Sequence, residues 1–327
     1  MMINKKILIT GGTGSLGKAL IKKIKKCFPT WKIIVFSRDE GKQAIYFADQ
    51  PDITRIIGDV RDLEKLKTSM FIHKPDYVIH TAALKRVDDM EFHPDECVKT
   101  NIDGSRNVAV ASLEAGVKKC MLISTDKACQ PVNVYGSTKF IAERIFTNFD
   151  YSSESTIFAS VRYGNVIASR GSFIPRWLDL ISEDKKIKVT SLECTRFLFT
   201  LTDAVDTVLD SLTYAEGGEV FIPKINSFEM GTIIEAIKKI NKVKEVEHEV
   251  IGLRPGEKIH EDMLSETELP FAKQLSDSLL CILPQYTNKE HTHDKVYLGK
   301  KFNSSLHVNK DIDFLFSLIN RGLKDSE

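Results

Sequence analysis

Short apolar runs rich in β-branched residues alternate, through the first half of the chain, with longer segments whose apolar positions recur every three or four residues. The runs Lys6–Thr10, Lys32–Ser37, Thr54–Gly58, Tyr77–Thr81, Cys120–Ser124 and Thr156–Tyr163 predict strands. Segments 15–27, 40–48, 62–71, 94–115 and 134–148 predict helices between them. Such alternation implies βαβ units, and hence a parallel sheet with helices on both faces. Beyond residue 165 the pattern changes. Segments 172–183, 202–215 and 230–240 read as helices, with short strands at Lys186–Thr190 and Glu219–Ile222. A loop marked by Arg254-Pro255-Gly256-Glu257 follows, and 310–323 forms a helical end. The expected architecture is α/β: a doubly wound parallel sheet over residues 1–166, and a smaller C-terminal α/β substrate lobe over residues 167–327, interleaved with the last strands of the sheet.

Right after the first strand comes Thr10-Gly11-Gly12-Thr13-Gly14-Ser15-Leu16-Gly17, which opens a helix. The spacing of Gly11, Gly14 and Gly17 permits a tight turn, close approach of a pyrophosphate to the backbone, and close helix–strand packing. A dinucleotide site of the Rossmann type is expected there, with Thr13, Ser15 and Leu16 beside the glycines and the phosphates at the helix N-terminus. The end of the second strand selects the dinucleotide. Where a carboxylate would hold free ribose hydroxyls, this chain has Ser37, followed by Arg38 and, one turn on, Lys42. A hydroxyl and two cations favour the 2′-phosphate of NADP, with Asp39 and Glu40 turned away to cap the next helix. Asp59, before Val60, suits either an adenine contact or helix capping, with Asp62 the better cap. Ala82 and Ala83 offer small side chains where a cofactor must lie flat. Asn101 fits a structural hydrogen-bonding residue or a ribose contact.

Residues 124–139 carry the densest chemistry. Tyr135 and Lys139 form a Tyr-x-x-x-Lys pair on one face of a helix. A phenol of ordinary pKa ~10 becomes a usable base near neutrality only beside positive charge. Asp126 and Lys127 add an acid and an amine beyond what hydride transfer needs, which suggests elimination as well as redox chemistry.

Composition narrows the class. The 327 residues hold 46 basic and 45 acidic side chains, so net charge points to neither nucleic acid nor an anionic membrane. Lys22, Lys23, Lys25 and Lys26 read as the solvated face of a helix whose apolar side carries Leu16, Leu20, Ile21 and Ile24. The six cysteines lack a C-x-x-C spacing, and the eight histidines lack paired ligand spacing, His291 and His293 falling in a polar loop. No metal site is expected. Thiols in a reducing compartment and apolar runs far short of ~20 residues suggest a cytoplasmic protein without a membrane span.

Together these motifs resemble the extended short-chain dehydrogenase/reductase family, and within it the inverting UDP-N-acetylglucosamine 4,6-dehydratases. The resemblance runs over nearly the whole chain, through residues 10–15, 37–40, 58–62, 82–85, 124–128, 161–166, 169–172, 195–197 and 254–258. Ser-Thr-Asp-Lys-Ala at 124–128 is its most specific part. Tyr135 favours the inverting group, since relatives that retain C5 configuration often carry Met there.

The resemblance implies a mechanism. Tyr135, supported by Lys139, takes the sugar 4-hydroxyl proton while NADP accepts hydride from C4, and Thr125 bonds the same oxygen. Lys127, its pKa lowered by burial and a neighbouring cation, takes the C5 proton, and protonated Asp126 gives a proton to the departing 6-hydroxyl. It further implies that Val166 touches the cofactor, that Lys85, Asn165, Arg170 and Thr195 hold sugar and diphosphate, and that Arg254 and Glu257 engage the uridine. A homo-oligomer paired through 94–115 and 134–148 is expected. Alternatives are a C5-retaining UDP-sugar 4,6-dehydratase, a UDP-sugar 4-epimerase, or a non-catalytic NADP-sensing protein.

Overall fold

The computed structural model describes residues 4–325. The chain begins with β1 (Lys6–Thr10), α1 (Ser15–Cys27), β2 (Lys32–Ser37), α2 (Glu40–Phe47), β3 (Ile53–Ile57), α3 (Leu63–His73) and β4 (Tyr77–His80). It continues through α4 (Val87–Phe92), α5 (Pro94–Cys97), a π-helical turn at Val98–Asp103, α6 (Gly104–Glu114), β5 (Lys119–Ile123), a 3-10 turn at Asp126–Ala128, α7 (Val134–Tyr151) and β6 (Ile157–Val161). Then come β7 (Asn165–Val166), α8 (Phe173–Ser182), β8 (Ile187–Val189), β9 (Thr195–Phe199), α9 (Leu201–Tyr214), β10 (Val220–Pro223), β11 (Ser227–Glu229) and α10 (Met230–Asn241). The last elements are β12 (His248–Val250), β13 (Asp262–Leu264), β14 (Ala272–Gln274), β15 (Leu279–Ile282), β16 (Phe302–Asn303) and α11 (Ile312–Asp325).

Among the described residues nine strands form the main sheet, in the order β3-β2-β1-β4-β5-β6-β10-β15-β14. β1 to β6 and β10 run parallel, and β15 and β14 close one edge antiparallel. Three strands of the main sheet therefore come from the second half of the chain. The parallel strands are buried on both faces, which explains unbroken apolar runs such as Ile7-Leu8-Ile9. One face packs on α1 and α9 through Leu20, Ile24, Val205 and Val208, the other on α3, α6 and α7 through Leu66, Met70, Val108 and Phe146. A separate core joins α8, α10 and α11 through Ile174, Trp177, Ile233, Ile237, Leu315 and Ile319. Among the described residues no helix is long and apolar enough to cross a membrane.

The expected helix 94–115 is broken. Pro94 starts α5, and the π turn precedes α6. Within that turn Asn101 is fully buried, accepts from Leu84 N at 2.9 Å, and donates to Leu84 O at 3.0 Å and Thr138 Oγ1 at 3.1 Å. A widened turn aims one side chain at the loop after β4, a use of π geometry common at functional sites. α4 is too short for a periodic pattern to reveal. The antiparallel edge strands also escaped the sequence reading, because three- and four-residue runs carry little period.

The strand order reverses between β1 and β4, which opens a crevice at the C-terminal ends of these strands. Gly11 enters it with φ +68°, a conformation costly for other residues, and a Cβ there would lie 2.9 Å from Ala82 Cα. On the far side, α7 approaches the 3-10 turn so closely that a Cβ on Gly136 would lie 2.2 Å from the Lys127 carbonyl oxygen. Glycine at 136 is thus what lets Tyr135 and Lys127 share a site. Beneath them, buried Arg162 bonds Glu143 of α7 at 2.7 Å and Glu268 at 2.9 Å. This pincer ties α7 and β6 to the segment after β13. Gly136→Ala is expected to destabilise the protein by roughly 1–3 kcal/mol by overpacking and to lower activity further than stability alone explains; denaturant midpoints beside turnover rates check this.

Candidate active site

A cavity of about 1240 Å³ opens at the C-terminal ends of the parallel strands. Gly11, Thr13, Gly14, Ser15, Leu16 and Gly17 line one end of it. No side chain caps α1, so its first-turn N–H groups are left for an anion. Ser37, Arg38, Lys42, Asp59, Val60, Ala82, Ala83 and Val166 line the same region. Ser37 Oγ accepts from Gln43 Nε2 at 2.9 Å, whereas Arg38 is mostly exposed, 3.6 Å from Asp59. Asp39 caps α2 by accepting from Lys42 N at 2.9 Å, and its carboxylate also pairs with Lys42 Nζ. Arg38 therefore remains the freer of the two expected cations. Asp59 is held by Arg61 at 2.8 Å, and Asp62 caps α3. Asn101 lies off the cavity wall; it shapes the Ala82–Leu84 loop from behind, so the ribose contact considered for it is set aside.

β5 delivers the reactive group. Thr125, Lys127, Tyr135 and Lys139 line the cavity, while Asp126 is wholly buried behind them. Thr125 Oγ1 donates to Asp126 Oδ1 at 2.9 Å. Lys127 Nζ lies 3.0 Å from Asp126 Oδ1 and 3.6 Å from Glu261 Oε1. Burial opposes the charge on Lys127, but Asp126 and Glu261 outweigh it and hold the amine well above its ordinary value. The expected lowering of Lys127 is thus corrected: the sequence shows Asp126 beside it but not the second carboxylate. Burial pushes the Glu261 carboxyl up, with Lys127 pulling the other way. Asp126 Oδ2 and Glu261 Oε2 are both buried without a hydrogen-bond partner among the described residues.

Burial also pushes the Tyr135 phenol up to about 12, against the pull of Lys127 and a hydrogen bond with Thr125. The cation acting most strongly on Tyr135 is therefore Lys127 rather than Lys139. Lys139 itself is pushed down to about 8 by burial, with Glu143 opposing. Asn133 caps α7 by accepting from Gly136 N at 2.7 Å and donates to Gly256 O at 2.8 Å, fastening the Tyr135 helix to the Arg254–Glu257 loop.

Of the residues expected at the sugar nucleotide, Lys85, Asn165, Arg170, Arg254 and Glu257 line the cavity and Thr195 does not. Burial, then Arg170, lowers the pKa of Lys85. The Arg170 backbone N–H donates to Ser15 Oγ at 3.1 Å, and its guanidinium donates to Tyr46 OH at 3.1 Å, over the glycine-rich turn. Thr195 turns inward to His260 Nδ1 at 2.8 Å and Ser304 Oγ. Successive strand residues face opposite ways, so Arg196 takes the cavity side and bonds Glu257 Oε1 at 2.9 Å. Glu257 also pairs with Arg254 at 3.1 Å, and Arg254 reaches Asp88 of α4 at 2.9 Å. Glu261 and Arg196 are the residues that sequence reasoning missed. An acid four positions after Glu257 was the available signal for the first, and side-chain alternation for the second.

The family described as "Polysaccharide biosynthesis protein" matches residues 7–281. The chain is 46% identical over 309 residues to a UDP-N-acetylglucosamine 4,6-dehydratase (inverting) of Campylobacter jejuni, covering 92% of this chain and 90% of that one. It is 38% identical over 282 residues to a UDP-glucose 4-epimerase of Rickettsia felis, covering 84% and 82%. The crystal structure of Pen from Bacillus thuringiensis superposes with a TM-score of 0.89 at 34% identity, over 98% of both chains. The chain therefore belongs to the polysaccharide biosynthesis protein family, within the extended short-chain dehydrogenase/reductases that its motifs resemble.

Proposed function

We propose that the protein is an NADP-dependent UDP-N-acetylglucosamine 4,6-dehydratase that inverts C5, giving UDP-2-acetamido-2,6-dideoxy-β-L-arabino-hex-4-ulose. One observation carries this reading: the Asp126–Lys127–Glu261 cluster next to Tyr135. Oxidation and re-reduction at one carbon need only Tyr135 and Lys139 around a cofactor. Removing water across C5 and C6 needs a further acid and a further base, and the cluster contains both.

Gly11 against Ala82 forms a cradle that a Cβ would fill, and the uncapped start of α1 suits a pyrophosphate. Ser37 and Arg38 suit a 2′-phosphate better than free hydroxyls, with Arg170 closing over the glycine turn. A nicotinamide dinucleotide bound there supplies the hydride acceptor at C4, the hydride donor at C6 and added positive charge near the phenol. Tyr135 takes the proton of the 4-hydroxyl, with Thr125 beside the same oxygen. The C4 ketone acidifies the C5 proton. Lys127 first passes its proton to Asp126 along their 3.0 Å hydrogen bond, and the resulting amine removes the C5 proton. Glu261 lies on the cavity wall, and in its protonated form it gives its proton to the departing 6-hydroxyl, a role expected from sequence for Asp126. Water leaves, and C5 is reprotonated on the opposite face by Tyr135, which thereby gives up the proton it took from the 4-hydroxyl. The first 166 residues supply the cofactor floor and the Tyr135–Lys127 chemistry; the remainder supplies Glu261 and the wall facing the uridine.

Lys85, Asn165, Arg196 and Arg254 hold the UDP-sugar in this reading. Pairing of two copies through α5, α6 and α7 would cover the exposed side chains of Phe92, Val98, Phe140 and Ile141. The cytoplasm, where NADP and UDP-sugars are both present, is the place for the reaction.

Incubation with UDP-N-acetylglucosamine in deuterated water tests the reaction. The expected product is lighter by one water, inverted, and deuterated at C5. Retained configuration would indicate a retaining dehydratase, and an isomer of unchanged mass would indicate the 4-epimerase that the Rickettsia relative is named for. Glu261→Gln is expected to slow water loss by about 10²-fold or more without weakening cofactor binding; an unchanged rate would remove Glu261 from the mechanism. Arg38→Ala should weaken NADP by about 10–100-fold, far more than NAD. Equal losses measured by calorimetry would defeat the 2′-phosphate assignment.

A further inference from the structure

We infer that a structural zinc ion binds between the start of β10 and the loop after β15, held by Glu216, Glu219, His291 and His293. One ligand atom from each of these side chains lies within 4.8 Å of all the others. The site lies at the N-terminal end of β10, whereas the catalytic cavity opens at the C-terminal ends of the parallel strands. None of the four residues belongs to the cavity wall.

The separations argue for an ion rather than direct contact. His291 Nδ1 lies 3.4 Å from Glu219 Oε1 and 3.7 Å from Glu216 Oε2, and His293 Nε2 lies 3.5 Å from each of the same oxygens. These exceed ordinary N–H···O lengths. Zinc bonds of 2.0–2.1 Å in a tetrahedron place neighbouring ligand atoms about 3.3–3.4 Å apart, close to what is observed. Both imidazoles are more than nine-tenths buried, at 6% and 7% side-chain exposure. Both ring nitrogens of His291 and Nε2 of His293 lack a hydrogen-bond partner among the described residues. Buried imidazole nitrogens are costly to leave unsatisfied, and metal ligation satisfies them.

The carboxylates are oriented as ligands usually are, by hydrogen bonds from behind. Glu219 accepts from Glu216 N at 2.7 Å and Gly217 N at 2.8 Å. Glu216 accepts from Thr292 N at 2.7 Å and from the Thr292 hydroxyl. The nearby ammonium of Lys119 is turned onto the carbonyls of Leu212, Thr213 and Ala215, so it does not pair with either acid. Two carboxylates, two neutral imidazoles and one divalent cation make a neutral set. Mixed nitrogen and oxygen ligands in a closed group of four suit structural zinc. Sequence spacing hid the site because its two halves lie on either side of β10 and β15, which led to the expectation of no metal.

The test uses the full untagged chain and zinc chloride, and does not depend on the proposed reaction. Elemental analysis after gel filtration is expected to find one zinc per chain. EDTA should lower the melting midpoint by roughly 5–10 °C, and zinc should restore it. Cobalt substitution should give the intense visible absorption of a tetrahedral site. The double variant His291→Ala/His293→Ala should lose the metal and the EDTA response while keeping basal turnover. Wild-type protein with no zinc and no response to zinc or EDTA would overturn the proposal, leaving charged His–Glu pairs. Zinc retained in a folded double variant would overturn it as well. If the double variant does not fold, the wild-type metal content and EDTA response decide alone.

Discussion

The ammonium of Lys127, held between Asp126 and Glu261, is the interaction on which the site depends. Asp126 comes from the turn after β5, and Glu261 comes from the segment leading into β13. One cation therefore joins the two halves of the chain at the inner end of the cavity. It also faces the Tyr135 phenol, so the same charge that holds the halves together acts on the group proposed as the redox base. A buried amine with two carboxylates is stable as an ion pair and reactive only when its proton moves. That property suits the alternation between structural cation and base proposed for it.

Several further contacts exist to keep this cluster in register. Gly136 lets α7 touch the Lys127 backbone, Asn133 ties the start of α7 to Gly256, and Arg162 grips Glu143 and Glu268 from beneath. Breaking a buried pair such as Arg162–Glu143 by removing one partner typically costs about 3–5 kcal/mol, since the remaining charge is left without compensation. Arg196, Glu257, Arg254 and Asp88 extend the chain of ion pairs along the cavity wall to α4. The cavity is thus framed by charge pairs that cross between the two halves of the chain. A bound sugar nucleotide would compete for the outer members of that frame, Arg254 and Glu257, while the inner ones are fully committed.

Much of this was legible in the sequence. The six parallel strands of the first half fall within a residue or two of the apolar runs, because strands buried on both faces leave an unbroken hydrophobic signature. The glycine turn, Ser37–Arg38 and the Thr125–Lys139 stretch were readable because local spacing alone puts them at strand ends. What was lost depends on packing across long separations. Lys127 was expected to be neutral because Glu261, distant in sequence, could not be seen against it. Thr195 was favoured over Arg196 because motif matching does not report which face of a strand meets the cavity. Asn101 fits two roles by sequence, which only its bonds to Leu84 and Thr138 separate. Arg170, expected at sugar and diphosphate, lines the cavity from over the glycine-rich turn, bonded to Ser15 and Tyr46.

The central claim is that Lys127 is the base of the elimination, while its effect on the oxidation is limited to the charge it presents to Tyr135. Single-turnover absorbance of the nicotinamide in Lys127→Ala, loaded with NADP and mixed with UDP-N-acetylglucosamine, tests it most directly. The account predicts that oxidation at C4 proceeds, reduced cofactor accumulates, and no water is lost. Full turnover at the wild-type rate would contradict it, and so would failure of a folded, NADP-bound variant to reduce its cofactor at all.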